Sequence, residues 1–446
     1  MAVSKLTNFE TATFNIKAIL SLCYNDQYTD MMLFDLEEKS MRILHTSDWH
    51  LGKNLEGHSR MDEQEAFLED FVKIVNDNSV DLIIIAGDIY DSYNPPARAE
   101  KMFYDTLKKL SSNGKRITLV ISGNHDNPDR LVAAGPLARD HGIIMVGTPK
   151  SVVPCGDYGS HKVVNSGEGF VEVEINGERA VIVTVPYPNE KRLDEVLYSE
   201  MEEEKDKVVS YGNKIKTLFD NLSKNYREDT INIAVSHLFA MGSAQAGSER
   251  SVQLGGSFIV DGSCFPVKAQ YIALGHVHKP QIVPGTERRA RYSGSPLQYS
   301  KKEIGFKKKC FVIDAKAGED CRVKEVEFKV YKPIEVWKCN SIEEAISRCR
   351  ENSERDCWVY MEITTDRYIG EDEIKLMKTA KKDILEIVPK ISDDNCSDLD
   401  INSFSHKSFE EIFREFYIKE RKVEPEPEVL DLLLSIIREE ENNETN

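Results

Sequence analysis

Leu82-Ile83-Ile84-Ile85-Ala86-Gly87-Asp88-Ile89-Tyr90-Asp91 is the stretch on which the reading of this chain turns. Five apolar residues run without interruption, the mark of a strand buried on both faces. A glycine follows, free to make the sharp turn out of a strand, and aspartates stand one and four residues after it. Upstream, Met41–His45 reads as another strand, and Phe67, Phe71, Ile74 and Val75 fall at i, i+4, i+7 and i+8 of a helix. Downstream, Ala99, Met102, Phe103, Leu107 and Leu110 share one side of a second helix with Gly114 as its stop, and Ile117–Ile121 is the next buried strand. The order β-α-β-α-β predicts an α/β layer with parallel strands. Further on, 151–187 reads as strands and turns and 190–225 as charged helix. Ile231–Val235 and Tyr271–Leu274 read as buried strands, and Cys310–Asp314 as a closing strand.

Five short motifs each follow an apolar run: Asp48-Trp49-His50, Gly87-Asp88-Ile89-Tyr90-Asp91, Gly123-Asn124-His125-Asp126, Ser236-His237 and Gly275-His276-Val277-His278. Ligands of open α/β sheets bind beyond the carboxyl ends of the strands, so all five motifs should gather at one edge. There they would bring Asp48, Asp88, Asn124 and five histidines together. Asp-x-His and His-x-His put alternate side chains on one side of an extended segment. Imidazole with carboxylate suits Mn, Fe or Zn, and the absence of thiolate argues against a structural zinc site. Eight such groups exceed the needs of one tetrahedral ion. They fit two ions sharing a carboxylate, which clamp the attacking and leaving oxygens of a phosphoryl displacement. Any one motif alone is common; an isolated His237 would read as a satisfied strand-end histidine. The ordered set carries the inference. His45 reads as core or as support behind the ligands, and His58, His141, His161 and His406 as surface.

Composition sets bounds on this reading. At 446 residues the chain should hold two or three domains, and its 40% hydrophobic content is enough for a sizeable core. No apolar run approaches the ~18 residues of a membrane span, and Ala18–Leu22 is too short for a signal-peptide core; the expected location is the cytoplasm. Nine cysteines with no CxxC pair read as reduced thiols. The net charge of −18 is the reverse of a dedicated DNA-binding domain. From Thr286 to Cys310, however, eight Lys or Arg face two Glu. Arg288, Arg289, Arg291, Lys301 and Lys302 are the candidate contacts to a phosphate backbone.

The motif set resembles the calcineurin-like metallophosphoesterase family (D-x-H, G-D-x-x-D, G-N-H-D/E, H, G-H-x-H) over residues 41–316. Longer stretches resemble the SbcD branch of bacterial nuclease subunits: 46–52, 255–257, 273–281 and Tyr292-Ser293-Gly294-Ser295-Pro296-Leu297-Gln298-Tyr299-Ser300. The resemblance implies a four-layer αββα sandwich with a small α+β capping domain and C-terminal helices. It implies one ion on Asp48, His50, Asp88 and His278, a second on Asp88, Asn124, His237 and His276, and Asp88 bridging. His125 would be catalytic, Asp91 would support the ligands from behind, and the metal would be manganese. It also implies DNA as substrate, with exonuclease and single-strand or hairpin endonuclease activity. The partner would be an SbcC-type ABC ATPase in a heterotetramer, with the nuclease domain forming a homodimer. A phosphatase or cyclic-nucleotide phosphodiesterase on the same site, or a non-catalytic scaffold, are the alternatives.

The rest of the chain organises around this core. Residues 1–40 show no period. They read either as an extension ahead of a start at Met41 or as a genuine N-terminal segment, and the SbcD branch does not usually carry one. Residues 317–395 read as the α+β capping domain, with Val326–Val330 and Trp358–Ile363 as strands and Ile342–Arg350 and Glu371–Lys382 as helices. In the final segment, 396–446, Phe409, Ile412, Phe413, Phe416 and Tyr417 form an apolar helical stripe after a polar linker. A free stripe of that kind needs a covering partner, and the resemblance names the ATPase.

Overall fold

A computed structural model describes residues 40–188, 204–249, 259–367, 369–391 and 413–414. The chain divides into two compact units. The first ends at Val336 and includes the return segment Arg355–Tyr360; the second takes Trp337–Glu354 and the residues from Met361 onward.

The first unit is built on two sheets. β1 (Met41–Thr46), β2 (Leu82–Ala86), β3 (Ile117–Ile121) and β4 (Ile143–Val146) run parallel in that order. The helices α1 (Met61–Asp77) and α2 (Ala97–Ser111) supply the crossovers from β1 to β2 and from β2 to β3. The second sheet begins with four antiparallel strands, β5 (Gly156–Tyr158), β6 (His161–Gly167), β7 (Phe170–Ile175) and β8 (Glu178–Val185). Helix α3 (Glu204–Leu222) leads into β9 (Ile231–His237) and β10 (Tyr271–Gly275), which pair parallel beside β8. β11 (Gln281–Ile282) and β12 (Ala290–Tyr292) complete the edge next to β10. β13 (Lys309–Ala315) returns to pair antiparallel with β1 in the first sheet.

Alternation along each strand decides the layering. Leu82, Ile84 and Ala86 enter a core shared with Ile182, Ile231, Ile233 and Val235 of the other sheet. Ile83 and Ile85 point the other way, into a core with Phe67, Phe71, Phe103 and Leu107 of the helices. On the far side, Val181, Val183, Ala234 and Ile272 cover Tyr211, Ile215 and Phe219 of α3. The result is the expected four-layer αββα sandwich. Uninterrupted apolar strands are required here because both faces of each central strand are covered.

The sequence-based boundary at 316 falls too early. β14 (Arg322–Glu327) pairs antiparallel with β13, and so edges the first sheet instead of opening the next domain. Its alternation of charged and apolar residues reflects an edge strand with one wet face, a pattern that any half-buried sheet produces. The second unit is α+β. β15 (Ile334–Cys339), β16 (Trp358–Thr365) and β17 (Ile384–Ile391) form a sheet in that order, with α4 (Ile342–Glu351) and α5 (Glu371–Ala380) packed on each other. The Ser341 hydroxyl caps α4 by accepting the Glu344 N–H at 3.1 Å.

His161, read as surface, is buried on β6 with Nε2 2.9 Å from the Lys115 carbonyl oxygen. The described cysteines are free thiols. No described helix is long and apolar enough to cross a membrane. Of the C-terminal stripe only Phe413 is described, with Arg414, as helix; Phe409, Ile412, Phe416 and Tyr417 lie outside the described residues, as do residues 1–39.

Phe67 lies fully buried, its ring 5.8 Å from Trp49, 5.7 Å from Phe71 and 5.1 Å from Phe328. Phe67→Ala is expected to cost about 3–5 kcal/mol of unfolding free energy in urea titration. Val330→Ala, at a residue 63% exposed, should stay within about 0.5 kcal/mol of wild type. Equal losses would contradict the layer assignment.

Candidate metal centre

All five motif segments leave their strands at the same edge. The segment after β1 keeps pairing with the one after β2: Asp48 N–H donates to the Gly87 carbonyl and His50 N–H to that of Asp88, both at 3.0 Å. Asp48, His50, Asp88 and His276 all take positive φ, at 55°, 46°, 51° and 99°. For a residue with a Cβ, such conformations cost of order 1–3 kcal/mol and persist where the surroundings over-determine them. Two glycines permit the close approach. A Cβ at Gly123 would lie 2.0 Å from Asp88 Oδ1, and one at Gly275 would lie 1.9 Å from the Ala86 carbonyl oxygen.

The side chains converge in three groups among the described residues. Asp48, His50 and His278 bring donor atoms together, so do Asp88, His237 and His276, and His50, Asp88 and His125 form a third that shares a residue with each of the other two. His50 Nε2 lies 3.0 Å from His278 Nε2. Asn124 Oδ1 is 3.0 Å from His237 Nε2 and 2.9 Å from His276 Nδ1. Between the first two groups stands Asp88, whose Oδ2 is 3.5 Å from His50 Nε2 and 3.3 Å from His237 Nε2. Asp88 is only 2% exposed. Buried carboxylates among imidazoles, with an amide oxygen facing two ring nitrogens, suit divalent cations of the Mn, Fe and Zn type. The donor set therefore fits the metals that the sequence points to.

The electrostatics of three of the four rings agree with that fit. Burial pushes the His50 imidazole down to about 4 and that of His276 to about 3, and it holds His278 well below its usual range. These rings are neutral, as metal ligands must be. Burial also lifts the Asp48 carboxyl to about 7, with the Asp88 charge adding to the effect. Burial works the same way on Asp88, but His237, His125 and His50 outweigh it and hold that carboxyl well below the usual carboxylate range. Burial lowers His237, yet Asp88, Asp48 and the Ala86 carbonyl together hold it at about 9. His237 Nδ1 donates to that carbonyl at 2.8 Å, which leaves Nε2 facing the centre.

His125 stands beside the first two groups and belongs to the third. Its N–H donates to Asp88 Oδ1 at 2.9 Å, its Nδ1 lies 2.7 Å from the Asp91 carbonyl oxygen, and its ring meets that of His50 edge-on at 4.6 Å. Asp91 Oδ1 sits 3.4 Å from His50 Nδ1 and accepts from Lys53 Nζ at 2.7 Å.

Sequence reasoning missed several supporting groups. Asp126 accepts the N–H groups of Ile89, Tyr90 and Gly123 at 3.1, 3.0 and 2.8 Å, tying two ligand loops together. Its place in Gly-Asn-His-Asp was the available signal. Tyr299 donates to the Trp49 carbonyl at 2.6 Å and meets the His50 ring edge-on.

The basic stretch needs correction. Arg291 is buried at 8% exposure, its guanidinium 5.5 Å from the Phe311 ring centre. Arg289 is spent on the carbonyls of Pro266, Val267 and Ala269. Lys307 and Lys309 pair with Glu327 and Glu325 on the neighbouring strand. Of the five candidate contacts only Arg288, Lys301 and Lys302 are exposed.

A four-layer α/β sandwich with this donor set at its strand ends defines a metallophosphoesterase. Residues 41–280 match the calcineurin-like phosphoesterase family, and residues 330–421 match a domain described as the type 5 capsule protein repressor C-terminal domain. The chain is 39% identical to the SbcD subunit of the SbcCD nuclease of Bacillus subtilis over 398 residues, 89% of this chain and 97% of that protein. It is 29% identical to the SbcD subunit of the Escherichia coli K12 SbcCD nuclease over 354 residues, 78% of this chain and 84% of the relative. The chain belongs to the SbcD family of calcineurin-like phosphoesterases.

Asp126→Ala should leave three buried N–H donors without their carboxylate, at about 1–3 kcal/mol each. A markedly lower thermal midpoint is expected; an unchanged one would show that the loops are held together by other means.

Proposed function

We propose that this chain is a manganese-dependent DNA nuclease that works in the cytoplasm with an SbcC-type ABC ATPase in DNA end processing, repair, recombination and replication. The reading includes double-strand exonuclease and single-strand or hairpin endonuclease activity. It also includes a homodimer of the nuclease domain and a heterotetramer with the ATPase. The observation that carries it is the position of Asp88 between the two donor groups, 3.5 Å from His50 and 3.3 Å from His237. Asp48, His50, Asp88 and His278 would hold one ion, and Asp88, Asn124, His237 and His276 the other. Two ions there would supply Lewis-acid charge at the attacking and leaving oxygens of a phosphodiester.

In this reading the residues divide the work. Asp88 sets the separation of the two sites. The Asp91 carbonyl orients His125 through Nδ1, and Nε2 gives a proton to the leaving oxygen. Asp91 and Lys53 stand behind His50. Arg288, Lys301 and Lys302 offer charge to the DNA backbone, which should make binding salt-dependent. The similarity to relatives named as components of SbcCD runs well past the phosphoesterase region, which favours a nuclease subunit over a stand-alone phosphatase. Segment 396–446, with its stripe from Phe409 to Tyr417, is assigned to the ATPase.

Three measurements test this reading. Asp88→Asn should abolish manganese-dependent plasmid degradation and reduce bound manganese below two ions per chain in calorimetry; two ions at normal affinity would refute the bridging role. His125→Ala should keep both ions while cleavage falls by roughly 10²–10⁴-fold; loss of metal would make it a ligand instead. Truncation before residue 400 should leave manganese-dependent cleavage of simple ends but abolish co-purification with the ATPase. Co-purification at wild-type stoichiometry would show that docking lies elsewhere.

A further inference from the structure

His278 is gripped from three sides by residues that no motif contains. Its N–H donates to Glu249 Oε1 at 3.0 Å. Its carbonyl accepts from Lys308 Nζ at 3.1 Å. Its Nδ1 lies 2.5 Å from Ser248 Oγ. Ser248 in turn donates to Glu303 Oε1, and Glu303 Oε2 accepts from Lys308. Lys308 places its third donor on Ser295 Oγ at 2.8 Å. Glu303 and Lys308 are both buried.

The hydrogens along this series of contacts can be assigned by counting donors. Lys308 has three donors and all three are used. Glu303 is paired with that ammonium, so it is an acceptor at both oxygens. A hydroxyl has one hydrogen, and Ser248 gives it to Glu303; toward His278 it can only accept. His278 must then carry its proton on Nδ1, which leaves the lone pair on Nε2, the atom 3.0 Å from His50 Nε2 in the candidate centre.

We infer that Ser248, Glu303 and Lys308 form a positioning relay that fixes the tautomer and orientation of His278 and so sets the affinity of one of the two metal sites, the one on Asp48 and His50. Hydrogen-bonded partners behind a metal-binding histidine act in this way elsewhere. The centre is lopsided in this respect. His50 and His278 are each backed by a carboxylate paired with a lysine, Asp91 with Lys53 and Glu303 with Lys308. Among the described residues, His237 is backed at Nδ1 by the Ala86 carbonyl. The relay also ties the metal site to the segment 244–249, which Gln281 holds at both the N–H and the carbonyl of Ala244, each at 2.8 Å.

The inference rests on the two-ion reading above, and one calorimetric series with manganese chloride separates the two. In full-length Ser248→Ala, one of two ions should bind about 10–100-fold more weakly, while the other keeps its affinity. Ser248→Thr keeps the hydroxyl and should restore the wild-type titration. If wild-type protein takes fewer than two ions, both readings fall. If it takes two and Ser248→Ala titrates identically, weakens both sites equally, or is not rescued by Ser248→Thr, the relay alone is overturned.

Discussion

A single buried carboxylate organises this protein. Asp88 sits at the end of a strand covered on both faces, with one oxygen accepting the His125 N–H and the other between His50 and His237. A charge so placed must be compensated, because isolated ions in a dry interior are strongly disfavoured. The five segments around it are the compensation. Three of them cost something locally, through positive φ at Asp48, His50, Asp88 and His276; backbone hydrogen bonds tie the loop after β1 to the one after β2, and Asp126 ties the loops after β2 and β3. The layered hydrophobic cores make this possible. They fix the strand ends rigidly enough that strained loops hold their geometry.

The same compensation links stability to chemistry. Three imidazoles held neutral by burial, beside an ionised carboxylate, describe a pocket built for positive charge. The support behind it is uneven: His50 and His278 have carboxylate–lysine pairs at their backs, whereas His237 has a carbonyl and His276 faces Asn124 directly. In the proposed two-ion reading, the two sites would differ in strength through groups that touch neither ion.

Much of this was legible in the sequence because the signals are local. The run Leu82–Ala86 required a two-sided core, and the residues immediately after each such run carry the donors. Asp48, His50, Asp88, Asn124, His237, His276 and His278 lie together at that edge. What was not legible depends on long-range packing. Ser248, Glu303 and Lys308 are brought together from two distant stretches and sit in polar sequence that resembles ordinary surface. Arg291 reads as one more base in a basic run, yet its position on β12 turns it onto Phe311. The edge strand β14 looked like the start of a new domain because its alternation says only that one face is wet, not which sheet it joins. The apolar stripe at Phe409–Tyr417 is visible as a pattern, but a pattern does not show what it covers.

The most direct test of the account is anomalous diffraction from crystals of the manganese-soaked protein. Two peaks about 3.5–4 Å apart, one on each side of the Asp88 carboxylate, with the second against Asn124, His237 and His276, are the expected result. A single peak, or two peaks that leave Asp88 uncoordinated, would contradict the claim that this carboxylate is the shared element around which the chain is folded.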